Sequence, residues 1–167
     1  MEFMPGATAV GIVYNDGVVL AAEKRLAYRG FITTKKTKKI FKISKGVGAA
    51  CAGLVADMQE LIREVTSIIR LKELREGTPT PVHSVAKLTS ILLFQNRLYP
   101  YITQIMIGGY VGKPEIYSLD PLGSLIKDTY IALGSGTEVA MGVLESQYRE
   151  GMGEEEAKKL VVDSIKA

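Results

Sequence analysis

Apolar and β-favouring residues run from Thr8 to Tyr14, the triplet Asn15-Asp16-Gly17 interrupts them, and Val18 to Ala22 resumes the same character. This pattern predicts a β-hairpin with a three-residue loop, in which Gly17 supplies the left-handed conformation that the last loop position needs. Phe31 to Ser44 scatters threonines among lysines, and Gly46 to Asp57 (GVGAACAGLVAD) is a small, apolar run suited to a tightly packed buried strand. Roughly four strands are expected in the first third. The period then changes. Asp57 can cap a helix in which Leu61, Ile62, Val65, Ile68, Ile69 and Leu71 recur at helical spacing, ending near Glu76 with Gly77 beyond. After the Thr-Pro repeat at 78–81, a second helix is predicted from Val82 to Asn96, with Val85, Leu88, Leu92 and Leu93 on one stripe. Strand character returns at Tyr101–Tyr110, Pro114–Asp120 and Ser124–Gly134, read as a three-stranded meander. Two further helices follow, Thr137–Gly151 and Glu154–Ala167, the second opening on three glutamates that suit its N-terminal dipole. Strands, two helices, strands, two helices is the order of an α+β protein with helix pairs packed on antiparallel sheet, not of alternating βαβ units.

Composition narrows the chemistry. The 167 residues are enough for one domain with its own core. A balance of 21 basic against 18 acidic side chains is too even to argue for a nucleic-acid partner. The single cysteine, Cys51, excludes an internal disulfide, and with one histidine, His83, no metal cluster is expected. A cytoplasmic location is expected, with no membrane span and no cofactor. In the run KKTKK, Lys35, Lys36 and Lys38 read as a solvated loop. Lys39 differs: strand alternation puts it on one face with Phe41 and Ile43, where partial desolvation lowers a lysine pKa or demands a carboxylate, for which Glu23 is the candidate. Gly134 to Glu138 (GSGTE) joins a strand to a helix, with Thr137 as the expected helix cap and Ser135 placed to project from the loop. Gly53 can present a backbone N–H to an oxyanion. Cys51 and His83 carry no nucleophile signature, and Met58 and Met106 read as core.

Taken together, TAVGIVYNDGVVLAAEKR, KKIFKI, AGLVAD and LGSGTEVAMGVLESQY resemble a proteasome β subunit of archaeal type, in register from Ala7 to the end. The resemblance implies the four-layer αββα sandwich of N-terminal-nucleophile hydrolases, with the family's last strands beyond Ala167. It implies residues 1–7 as a propeptide-like segment and 8–167 as one domain. As partners it implies α-subunit rings, other β subunits in a seven-membered ring, and unfolded polypeptide as substrate. In active members a glycine precedes a threonine that autocleavage exposes; its hydroxyl attacks the peptide bond, aided by its own amine, a lysine and a carboxylate. Carried over, the lysine is Lys39, the acid Glu23, the oxyanion glycine Gly53 and the loop serine Ser135, while Thr37, Cys51 and Val55 line the substrate pocket. The nucleophile position holds Ala7, and Ala27 stands where the family carries a hydroxyl. Thr8 is one residue late, and a slip of one turns a strand side chain to the opposite face. Two readings stay open: a catalytically disarmed ring subunit, or a threonine-type endopeptidase that uses Thr8 after cleavage at Ala7.

Overall fold

The computed structural model describes residues 7–28 and 31–167; the start of the propeptide-like segment, residues 1–6, lies outside them. The opening hairpin is formed by β1 (Thr8–Tyr14) and β2 (Gly17–Ala22), paired from Ala9↔Ala22 to Tyr14↔Gly17. Its loop is therefore two residues, Asn15 and Asp16, rather than three. Gly17 belongs to β2 without a left-handed φ; its bareness serves packing, since a Cβ there would lie 2.7 Å from Tyr14 Oη. Next come β3 (Leu26–Tyr28), β4 (Phe31–Thr34), β5 (Ile40–Ser44) and β6 (Val47–Gly53). The first third thus holds six strands, not about four, because β3 and β4 are too short to carry a readable alternation.

Helix α1 (Val55–Glu76) begins two residues before the expected cap. Asp57 sits in its first turn, where its carboxylate accepts the Ile102 N–H at 2.7 Å and pins the start of the next strand. Gly77, at φ 70°, closes the helix in the left-handed conformation. After α2 (Val82–Gln95), β7 (Thr103–Tyr110) and β8 (Pro114–Leu119) follow as expected. The predicted third strand of the meander splits into β9 (Leu125–Asp128) and β10 (Tyr130–Gly134). The half that pairs with β8 is largely exposed, whereas Ile131, Ala132 and Leu133 are buried beside β1. Helices α3 (Thr137–Gln147) and α4 (Glu154–Lys166) complete the described chain. The shorter α3 has a local cause: Tyr148 adopts extended backbone, packs its ring at a tilt against Tyr130 with centroids 5.0 Å apart and donates its hydroxyl to Val13 O. Among the described residues, no helix is long and apolar enough to cross a membrane.

Strand order is β10-β1-β2 in one sheet and β5-β6-β7-β8-β9 in the other, with β3-β4 a separate hairpin. Helices α1 and α2 cover the five-stranded sheet through Ile43, Cys51, Met58, Leu61, Ile105 and Ile107. Helices α3 and α4 cover the smaller sheet through Val10, Ile12, Leu144 and Leu160. The two bare faces meet through Ala7, Ala9, Ala50, Ala52, Met106 and Ile131. This is the four-layer αββα arrangement. Four alanines and Gly11 let the sheets approach closely around the larger side chains: a Cβ on Gly11 would fall 2.7 Å from Met106 Sδ.

On the larger sheet, Glu115 is buried yet accepts hydrogen bonds from Tyr117 Oη at 3.1 Å and Lys127 Nζ at 2.9 Å, with Lys113 Nζ at 3.4 Å. Burial pushes its carboxyl up, but these donors outweigh it and hold the pKa below 4.5; burial and the Glu115 charge push Tyr117 up to about 12. A carboxylate with a depressed folded pKa stabilises above its unfolded pKa and loses that contribution as pH falls through the folded value. Glu115→Gln is therefore expected to lower the Tm at pH 7 by roughly 2–8 °C. The gap should close toward pH 3 in thermal unfolding scans, and a gap constant with pH would contradict this account.

Candidate active site

Alternation along β1 sorts its side chains between layers. Ala7 and Ala9 face the gap between the sheets, while Val10 and Ile12 face α3 and α4. Thr8 takes the helix side: a Cβ on Gly136, at the start of α3, would lie 2.3 Å from Thr8 Oγ1. The two candidate positions are thus on opposite faces of one strand, and Ala7, 1% exposed, is the one that faces the gap.

Ser135 sits in the turn between β10 and α3, against residue 7. Its Oγ accepts the Ala7 N–H at 3.2 Å and lies 3.3 Å from Ala7 O as donor. This approach needs Gly134, at φ 94°, because a Cβ there would meet Ala7 O at 2.0 Å. The Gly134 backbone is held on both sides of its Cα: its N–H donates to Gln104 Oε1 at 3.1 Å, and its carbonyl accepts the Thr137 hydroxyl at 2.6 Å. Thr137 is consequently not the cap. Gly136 holds that position, and Thr137, the first helical residue, bonds back to the loop.

Lys39 immediately precedes β5. Phe41 and Ile43 pack under the first helix pair as expected, and the Cys51 N–H, which donates to Lys39 O at 2.9 Å, extends the β5–β6 ladder to Lys39. Its ammonium reaches the segment after β2, where it donates to Arg25 O at 2.6 Å and stands 4.0 Å from Glu23 Oε1. Burial pulls its pKa below 10.5, the Glu23 carboxylate works against that, and Arg25 adds to it. A desolvated lysine of this kind is neutral a larger fraction of the time near pH 7 than a free one, and so more available to accept a proton. Glu23 itself is fixed by a backbone bond to Thr8 O at 3.0 Å and an ion pair with Arg25 at 3.1 Å.

Gly53 ends β6 at φ 141°, where a Cβ would strike Ile102 O at 2.3 Å. By alternation its N–H points to the same strand edge as that of Cys51, which donates to Lys39 O. Thr37 is buried and donates its N–H to Lys24 O, tying the lysine loop to the Glu23 segment. Val55 is half-buried at the start of α1. Cys51 is fully enclosed beside Met58 and Leu61, and burial drives its thiol pKa far up. Lys35, Lys36 and Lys38 are exposed, Ala27 is half-buried on β3, and His83 packs edge-on against Tyr117. Sequence reasoning overlooked Gln104; its signal was a lone amide inside the otherwise apolar run TQIMIGG.

An αββα sandwich whose first strand presents residue 7 to the gap, beside a loop serine and with a buried lysine paired to a carboxylate, belongs to the N-terminal-nucleophile class. The family model described as "Proteasome subunit" matches residues 4–167. This chain is 48% identical over 164 residues to "Proteasome subunit beta 1" of Cenarchaeum symbiosum (strain A), covering 98% of this chain and 85% of the relative. It is 47% identical over 162 residues to "Proteasome subunit beta 1" of Ignicoccus hospitalis, covering 97% and 82%, and 46% over 168 residues to "Proteasome subunit beta 2" of Thermofilum pendens, covering 100% and 82%. The chain belongs to the proteasome subunit family.

Proposed function

We propose that this chain is a β-type subunit of the proteasome core particle that fills a ring position without a nucleophile of its own. The carrying observation is at residue 7: the Ser135 hydroxyl bridges its N–H and carbonyl in the gap between the sheets, but the residue is alanine and supplies no Oγ. Without a hydroxyl, neither self-cleavage nor attack on a substrate carbonyl can begin. Thr8 does not replace it, since its side chain lies against Gly136 on the α3 side. In this reading Lys39, Glu23 and Gly53 are the retained base, carboxylate and oxyanion donor of the family's site, with Thr37 and Val55 along the substrate path and Cys51, enclosed in the core, not lining it. The partners are an α-subunit ring and neighbouring β subunits in a seven-membered ring, and the particle degrades unfolded polypeptide in the cytoplasm through active neighbours.

The test uses particles assembled with their α and β partners. Intact mass should show that residue 7 remains attached, and Thr8→Ala should leave turnover of a fluorogenic peptide unchanged. A chain that starts at Thr8, or loss of turnover in Thr8→Ala, would establish the competing peptidase reading.

A further inference from the structure

We propose that Gln104 and Thr137 are positioning residues of this site, acting through the Gly134 backbone to set Ser135 over residue 7. The inference rests on the reading of residue 7 as the nucleophile position. Gln104 lies on β7 on the same strand face as Met106, and so points into the gap between the sheets. Its carbonyl oxygen crosses the gap to the Gly134 amide at 3.1 Å. From the opposite side, the Thr137 hydroxyl reaches back from the first turn of α3 to the Gly134 carbonyl at 2.6 Å.

The two peptide units that flank the Gly134 Cα are thereby held by side chains from two elements, one belonging to the other sheet and one to a helix. The grip matters because the next residue is Ser135, whose hydroxyl must reach both the N–H and the carbonyl of residue 7 at 3.2 and 3.3 Å. Gly134 itself has no side chain with which to hold its conformation, and its φ of 94° is one that turns readily leave. Two hydrogen bonds supply what the absent side chain cannot. Geometry at residue 7 is set at a sequence separation of 128 residues, so a small rotation of Gly134 moves Ser135 off its target. The atom Ser135 holds, the nitrogen of residue 7, is the one that becomes the chain-terminal amine in a cleaved member of the family.

Two experiments test this, and they fail separately. In the Ala7 chain, assembled with its partners, Gln104→Leu and Thr137→Val should raise hydrogen–deuterium exchange about tenfold in the peptide spanning Tyr130–Glu138, since each removes one neutral hydrogen bond. Gln104→Glu and Thr137→Ser, which keep the acceptor and the donor, should restore protection. In the Ala7→Thr background, Gln104→Leu should lower kcat by about tenfold with KM unchanged, the signature of misplacement at the reacting centre. Exchange unaltered by Gln104→Leu and Thr137→Val overturns the clamp, as does equal loss of kcat in Gln104→Leu and Gln104→Glu. If Ala7→Thr is itself inactive, the catalytic reading of residue 7 falls, while the exchange measurement still decides the clamp.

Discussion

On the proposed reading of residue 7, Ala7→Thr is expected to give this chain peptide-hydrolysing activity. The new Oγ would attack the carbonyl carbon of residue 6, and as the ester forms the 6–7 peptide bond breaks, its nitrogen taking the hydroxyl proton to become the α-amine of residue 7; water then hydrolyses the ester, releasing the residue 6 carboxylate and restoring the hydroxyl. That amine takes the hydroxyl proton in each later attack on substrate. The surroundings are already present: Ser135 Oγ 3.2 Å from the residue 7 nitrogen, and Lys39 buried with a depressed pKa beside Glu23. Removing the nucleophile of a well-studied serine protease costs about 10⁶-fold in kcat, so restoring one here should raise turnover by at least about 10⁴-fold. Intact mass should show loss of residues 1–6, and a fluorogenic peptide should report the rate. Ala7→Ser, with one carbon fewer, serves where the gap resists threonine, because Ala7 packs among Ala9, Ala50 and Ala52. Adding Lys39→Ala to Ala7→Thr should abolish the gain. Folded Ala7→Thr and Ala7→Ser chains that stay uncleaved and inactive would refute the claim that a working framework surrounds residue 7.

The layers were legible because they rest on periodicity. The helices at Val55–Glu76 and Val82–Gln95 lie where the apolar stripes put them, and Gly77 ends the first as expected. What periodicity lacks is the identity of the partner strand. Ser124–Gly134 reads as one apolar stretch, yet its second half leaves for the sheet of β1, a choice made by burial against residues more than a hundred positions away. The same limit governs the site. Resemblance named Lys39, Glu23, Gly53 and Ser135, but the bond from the Lys39 ammonium to Arg25 O joins segments that no strand period connects. The bond from Gln104 to Gly134 joins two sheets across the gap, and no local pattern encodes it. Conversely, the opposite facing of Ala7 and Thr8 follows from the period of two alone, and the contact of Thr8 with Gly136 agrees with it.

Glu23→Gln should destabilise the fold, and the size of the effect should depend on pH. Lys39 has only 1% of its side chain exposed, and Glu23 at 4.0 Å is the carboxylate that offsets its burial. Removing the negative charge leaves a buried cation with the Arg25 carbonyl as acceptor and the Arg25 guanidinium as an unfavourable neighbour. Because Glu23 is partly exposed and the pair is long, the expected loss is roughly 1–3 kcal/mol, below that of a fully buried pair, or about 3–10 °C in Tm at pH 7. Lys39→Met should cost less, since the carboxylate keeps Arg25 at 3.1 Å. The pH dependence follows from the sign of the lysine shift. The Lys39 pKa is lowered in the fold, so between that value and 10.5 the unfolded chain binds more protons, and stability from this group rises with pH. Losing the carboxylate lowers the folded pKa further and extends the window downward, so Glu23→Gln should regain stability relative to the parent between pH 7 and pH 10. Equal Tm values at pH 7 would mean that Lys39 is already neutral there and needs no counter-charge. A gap that widened with pH would instead remove Lys39 as the source of the effect.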